Sequence, residues 1–218
     1  LNYLLNPNSY NPADPNSIPN LFLRHMYIVG VAMVISIIIA IPIGLLVSRY
    51  RQWYTPVIAF SGLLYSIPAI ALVAVLITIT GLTLGTILIP LIVYNQLALI
   101  NNTATAVNNI DPLYLDVGRG MGMNRWQLFS RVTLPLALPV IVAGIRLATV
   151  TTIGIASLAG FIGQGGLGSL IFMNITVGDY DAIFAGALLL AILAITADLL
   201  LLALQTWLNR GRNIAPAR

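Results

Sequence analysis

The chain has 218 residues, 59% of them hydrophobic and 7% charged, with a mean hydropathy of +0.95, a balance that excludes an ordinary soluble domain and requires lipid as solvent. All ten basic residues are Arg and all six acidic ones are Asp, with no Lys, Glu or Cys, which excludes disulfides, thiolate nucleophiles, Cys zinc sites, a lysine P-loop and Schiff-base chemistry. The formal charge of +4 does not point to nucleic acid, because the arginines fall between hydrophobic runs instead of along one polar face.

Residues 1–20 are polar and rich in Asn and Pro, without the basic patch and short apolar core of a signal peptide. They read as an external arm, flexible or loosely packed. A spanning helix needs about 20 mostly apolar residues, and five stretches of residues 21–208 meet that length. The first runs from about Leu21 to Ser48, the second from about Tyr54 to Ile79, and the third from about Leu84 to Val107. Gly81 and Gly85 mark a tight turn before the third. The fourth runs from about Leu134 to Leu158, the fifth from about Ala182 to Leu208, and a basic tail, 209–218, follows. Pro42, Pro68, Pro90 and Pro139 interrupt the helical ladder inside the membrane, where kinks are tolerated. Trp53 and Trp207 suit the interfacial belt.

Five crossings place Arg49, Arg51, Arg119, Arg125, Arg131, Arg210, Arg212 and Arg218 on one side and Arg24 on the other. The positive-inside rule then predicts an external N-terminus and a cytoplasmic C-terminus.

The polar interval 109–133 is too long for a simple connector and reads as two short helices. Asp111 caps the first, with Pro112 at its first position, and Gly118, Gly120 and Gly122 end it. Asn124 and Gln127 form a capping box that opens the second, through Trp126, Phe129 and Arg131. Such a surface helix, with a glycine stop and exposed aromatic and Arg side chains, suits docking into a partner's groove.

These residues resemble the cytoplasmic loop of binding-protein-dependent ABC importer permeases, which reads E-A-A, three residues, Gly, nine residues, I-x-L-P. Asp116-Val117-Gly118, Gly122 and Val132-Thr133-Leu134-Pro135 occupy those places at that spacing. Asp stands for Glu, and Val-Gly for Ala-Ala. Ser66-Ile-Pro68-Ala-Ile-Ala71, Arg119-Gly-Met-Gly-Met123, Leu134-Pro-Leu-Ala-Leu-Pro139, Ala143-Gly-Ile-Arg146 and Phe161-Ile-Gly-Gln-Gly-Gly-Leu-Gly168 are similar to permeases for glycine betaine, carnitine and choline. The resemblance implies an all-α type I importer fold in a prokaryotic cytoplasmic membrane. It also implies a second permease copy or a related permease, an external substrate-binding protein and two ATPase subunits that bind ATP and Mg. This chain would then hold no cofactor and no catalytic residue. Asp116, Val117, Gly118, Arg119, Gly120, Gly122, Arg125 and Trp126 would form the ATPase-coupling surface. Methionine or another amino acid is the alternative substrate within the same architecture.

Gly163-Gln-Gly-Gly-Leu-Gly168 matches G-x-G-x-x-G, but it follows a membrane helix instead of a strand and lacks the acidic partner of a βαβ unit. It reads as a flexible external turn or re-entrant segment. The functional alternative makes Phe161, Gly163, Gly165, Gly166 and Gly168 an outer gate or a binding-protein contact. Arg146 and Asp198 lie near mid-membrane at similar depth, which permits a salt bridge between the fourth and fifth spans. That pair reads as structural, with a conformational switch as the sharper alternative. His25, at the outer interface, has no metal partners and no assigned role. Tyr65, Tyr94 and Trp126 could meet a quaternary amine, although Trp126 is cytoplasmic and the tyrosines suit helix interfaces. An intramembrane enzyme would need a base or metal cluster near Ser36, Ser61, Ser66 or Ser157, and no intramembrane lysine or histidine accompanies them. An ATP-independent carrier or channel would need polar stripes along several helices, and Arg146 with Asp198 alone makes none.

Overall fold

A computed structural model of the protein describes residues 2–209, and the basic tail beyond Asn209, with Arg210, Arg212 and Arg218, lies outside the described residues. Among the described residues all regular structure is helical. Four helical stretches are long and apolar enough to cross a membrane: Ile18–Arg49, Leu84–Asn108, Arg125–Phe161 and Tyr180–Asn209. We label the helices α1 (Asn2–Leu5), α2 (Ile18–Arg49), α3 (Tyr54–Ser66), α4 (Ala69–Thr80), α5 (Leu84–Asn108), α6 (Pro112–Gly120), α7 (Arg125–Leu128), α8 (Leu134–Ala156), α9 (Leu158–Phe161), α10 (Ser169–Ile175) and α11 (Tyr180–Asn209).

The expected second span is not one helix. α3 and α4 meet at 85°. Pro68 drives residue 67 out of the helical region, and Ile67 is extended at φ −69°, ψ 129°. The Ile67 carbonyl freed by the break accepts a hydrogen bond from Tyr94 Oη at 2.7 Å. The pair nevertheless joins opposite ends of the bundle. Tyr54 bonds Asn101 toward the C-terminal end of α5, whereas Leu82 beyond α4 accepts from Gln164, whose own carbonyl is held by Arg24 at the other end. It is therefore a broken crossing and makes the fifth span. Pro42, Pro90 and Pro139 stay inside continuous helices. Gly81 supplies the turn before α5 with φ +70°, while Gly85 lies within α5, whose cap is Thr83.

The second short helix of the polar interval is not separate either: α7, a π-helical turn at Phe129–Thr133, α8 and α9 run on from Arg125 to Phe161. A π turn absorbs one extra residue, and here it ends two residues before Pro135, which has no N–H to give to the ladder.

α5 is the central helix, packed on α2, α8, α3 and α4, and α11 lies along α8. Small residues bring the axes together, as expected where lipid removes the hydrophobic drive for helix association. A Cβ at Gly44 of α2 would lie 2.6 Å from Thr103 Cβ, and one at Gly144 of α8 would lie 2.6 Å from Asn102 Cβ. At the centre, buried Asn95 donates to Ser36 Oγ at 3.2 Å and accepts from Thr152 Oγ1 at 2.9 Å, which ties α5 to α2 and α8. These three side chains, on three different helices, thus satisfy one another inside the bundle, where no water is at hand to do so.

The N-terminal arm is ordered, contrary to the loose packing its composition suggested. Its asparagines bond their own turns: Asn6 Oδ1 accepts from Asn8 N, and Asn20 Nδ2 reaches the carbonyls of Pro12 and Asp14. Asn2 reaches Asp181 at the start of α11, and Tyr3 and Leu4 pack against the core.

Candidate functional site

The polar interval folds from its own local chemistry. Asp111 Oδ1 accepts from Leu113 N at 2.9 Å and caps α6, and Pro112 takes the first position. Gly118 and Gly120 do not end this helix; both lie inside it. Gly122 alone makes the stop, with φ +77°. Its N–H donates to Arg119 O and the Met123 N–H donates to Gly118 O, the paired bonds of a Schellman turn. Asn124 and Gln127 then exchange reciprocal bonds of 2.9 Å as a capping box for α7.

Gly118 is buried, and a Cβ there would meet Leu128 Cδ1 at 2.6 Å. Its smallness lets α6 lie on the α7 end of the long helix, so it supports the surface from beneath and does not belong to it. Asp116, Val117, Arg119, Gly120, Gly122, Arg125 and Trp126 are exposed, with Asp116 and Arg119 joined at 2.9 Å. Leu113, Tyr114 and Met121 join Val117 and Trp126 in an exposed apolar patch. Val117 is expected on this surface from the sequence and these three are not, though Leu113 and Met121 stand four residues to either side of it and so share its helical face. Behind this patch a cavity of about 500 Å³ is lined by Arg49, Arg119 and Arg125 together with Leu128 and Phe129. The element that projects from the bundle is thus short, doubly capped, apolar at its tip and basic at its base.

Arg146 and Asp198 are brought together across α8 and α11. Nε pairs with Oδ1, and Nη2 reaches Oδ2 at 3.0 Å, the two-pronged geometry of a strong Arg–carboxylate pair. Both side chains keep about one third of their surface open, 31% and 32%, beside a cavity of about 180 Å³ lined also by Ala143, Leu147 and Val150.

The glycine segment is held, not loose. Gly163, Gly165 and Gly166 take positive φ, while Gly168 is needed for closeness, since any Cβ there would collide with the Ser157 carbonyl. Ile162, Leu167 and Leu170 are buried around it. Arg24 Nε donates to Gln164 O at 3.0 Å, and Gln164 Nε2 donates to Leu82 O at 2.7 Å. His25, assigned no role from sequence, is fully buried, bonds Ile153 O at 3.1 Å and lies against Gly166. It ties α2 to α8 directly beside this segment. Phe161 and Gly163 are exposed, Gly165 is half-buried, and Gly166 and Gly168 are buried, so of these five only the first two are fully open at the surface.

Tyr65 and Tyr94 meet edge to face, with ring centroids 5.7 Å apart. They line a cavity of about 270 Å³ between α3, α5 and α8, with Asn101, Asn102 and Thr151 on its wall. Among the described residues no group of His, Cys, Asp or Glu is placed to hold a metal ion.

This arrangement offers an exposed docking surface at the α6–α7 tip and a small cavity between helices, and among the described residues it presents no nucleophile with a base. The profile of the family described as binding-protein-dependent transport system inner membrane component matches residues 36–214. The carnitine transport permease protein OpuCD of Listeria monocytogenes is 39% identical over 193 residues, 88% of this chain and 86% of that one. The glycine betaine/carnitine/choline transport system permease protein OpuCD of Bacillus subtilis is 39% identical over 191 residues, 87% and 82% of the two chains. The osmoprotectant import permease protein OsmW of Salmonella typhimurium is 38% identical over 195 residues, 87% and 91% of the two. Among solved structures, a chain of the inward-facing methionine ABC transporter MetNI matches with a TM-score of 0.74, covering 85% of this chain and 93% of that one at 23% identity, a likeness of fold alone. With its sequence matched along most of its length and its helices arranged in the type I permease fold, the chain belongs to the binding-protein-dependent transport system inner membrane components, the permease subunits of ABC importers.

Proposed function

We propose that this chain forms half of the pathway by which a prokaryotic cell imports a quaternary-amine osmoprotectant across its cytoplasmic membrane. The N-terminal arm and the glycine segment face outward, toward a separate binding protein. α6 and α7 face the cytoplasm and dock on a separate ATPase, which binds ATP and Mg. Closure of two ATPases on ATP draws a pair of these coupling elements together and turns the pathway outward, and hydrolysis resets it. The observation that carries this reading is the projecting element itself: an exposed apolar and basic knob, held by two caps and a Schellman turn, at the end of the bundle where the arginines collect. The substrate class rests on the relatives, whose names give carnitine, choline, glycine betaine and osmoprotectants.

Gly122 tests the coupling. Nothing lies within 4 Å of a Cβ built there, so its requirement is its φ of +77° and not space. Asn tolerates that conformation and a β-branched residue does not. In vesicles holding the permease, its ATPase and the binding protein, Gly122→Asn is expected to keep ATP-driven uptake close to wild type. Gly122→Val is expected to cut solute moved per ATP severalfold while the complex still assembles. Uptake that needs neither ATP nor ATPase would replace this reading with a carrier or channel.

A further inference from the structure

We propose that the cavity between α3, α5 and α8 is a station for the quaternary ammonium group inside the pathway, with Tyr65 as its aromatic face; this rests on the osmoprotectant reading above. The cavity lies at mid-span. Tyr65 is the penultimate residue of α3, next to the break, Tyr94 is near the centre of α5, and Leu147 and Thr151 belong to α8.

Its wall cannot face acyl chains, because uncommitted amides in hydrocarbon are strongly unfavourable. Asn101 and Asn102 both line it. Asn101 Oδ1 is taken by Tyr54 Oη at 2.7 Å and Asn102 Nδ2 by Ala98 O at 2.8 Å. Among the described residues the remaining Asn101 N–H groups and the Asn102 carbonyl have no protein partner. They therefore face water, solute or an apposed protein surface.

The chemistry of the wall selects the solute. No Asp or Arg lines the cavity, so a primary ammonium would bring three N–H donors to a wall whose free acceptor is the neutral Asn102 carbonyl, with no carboxylate to balance its charge. A quaternary ammonium has no N–H to satisfy and spreads its charge over methyl groups, which an aromatic face attracts and apolar walls accept. The Asn101 N–H groups suit a carboxylate or hydroxyl at the solute's other end. Tyr94 is spent on position: its hydroxyl holds the Ile67 carbonyl at 2.7 Å, and its ring meets Tyr65 edge to face. Tyr65 is 47% exposed, and its hydroxyl bonds nothing among the described residues, so its ring is the free surface. A volume of about 270 Å³ is at the small end for ligand cavities, enough for a compact solute and too little for a nucleotide. The neutral wall makes a weak site, as a pathway needs if the solute is to leave again.

The experiment is ATP-driven uptake of radiolabelled glycine betaine and choline into vesicles holding the full complex, with Tyr65 replaced by Phe, by its mono-, di- and trifluoro analogues, and by Leu. Fluorine drains the ring face without changing its size, so folding is common to the aromatic series. The expected result is a Phe rate within about twofold of wild type, a stepwise fall with each fluorine, and a Leu rate lower by about five- to thirtyfold. ATP hydrolysis stimulated by the binding protein should persist throughout. A flat fluorine series, or a Leu rate equal to wild type, overturns the station and leaves the importer reading standing. A wild-type complex that accumulates neither solute overturns the substrate reading and the station's occupant with it.

Discussion

Arg146 and Asp198 show how a residue choice is constrained by its solvent. Neither charge is tolerable alone within a span, and the two meet in a bidentate pair on the α8–α11 seam. If the pair only holds the bundle, removing both charges should do less harm than removing one. Arg146→Met or Asp198→Leu alone is expected to lower the yield of folded complex severalfold. The double variant is expected to recover most of that yield and to transport. A double variant that assembles normally and does not transport would make the pair a moving part of the gate.

At the scale of elements, the spans were legible and their breaks were not. Apolar run length places α2, α5, the fourth span and α11 within a few residues of where they lie, because the bilayer fixes how long a spanning helix must be. Four prolines look alike in sequence, yet only Pro68 divides a helix sharply, and there the Ile67 carbonyl that the break releases accepts a hydrogen bond from Tyr94, 27 residues beyond Ile67. The caps at Asp111 and Asn124 were readable because their partners lie two or three residues away. The buried Asn95 network was not, since Ser36 and Thr152 are 59 and 57 residues distant. The continuity of α7 with α8 through the π turn was hidden for a different reason: Leu134-Pro135 looks like a helix start, and the extra residue of a π turn leaves no mark in composition. That turn carries an expectation of its own. Deleting Ser130 should restore regular α-helix, rotating α6 and α7 by about 100° about the long helix and drawing them in by about 1.5 Å. The complex should still insert, and uptake per ATP should fall severalfold. Unchanged coupling would mean that the orientation of the knob is set by its partner and not by this helix.

For the whole molecule, the asymmetry between the two ends decides how it lies in the membrane. Arg49, Arg51, Arg119, Arg125 and Arg131 gather at the end that bears α6 and α7, while Arg24 stands at the other, bound to the glycine segment. Short loops holding Arg stay in the cytoplasm, so the arm should be external and the knob internal, and the broken α3–α4 crossing is what makes the count odd. A four-span chain, with α3 and α4 entering and leaving on one face, would force Arg49 and the knob to opposite sides. The sequence has no cysteine, which makes the wild-type chain a blank for thiol labelling. Asn16→Cys in the exposed arm and Met121→Cys at the exposed tip of the knob can therefore be read one at a time with a membrane-impermeant maleimide in intact cells. Asn16→Cys should label at once, and Met121→Cys only after the membrane is opened. The reverse pattern would invert the molecule and place the apolar knob where no cytoplasmic ATPase could reach it, and labelling of both in intact cells would reduce the number of crossings to four.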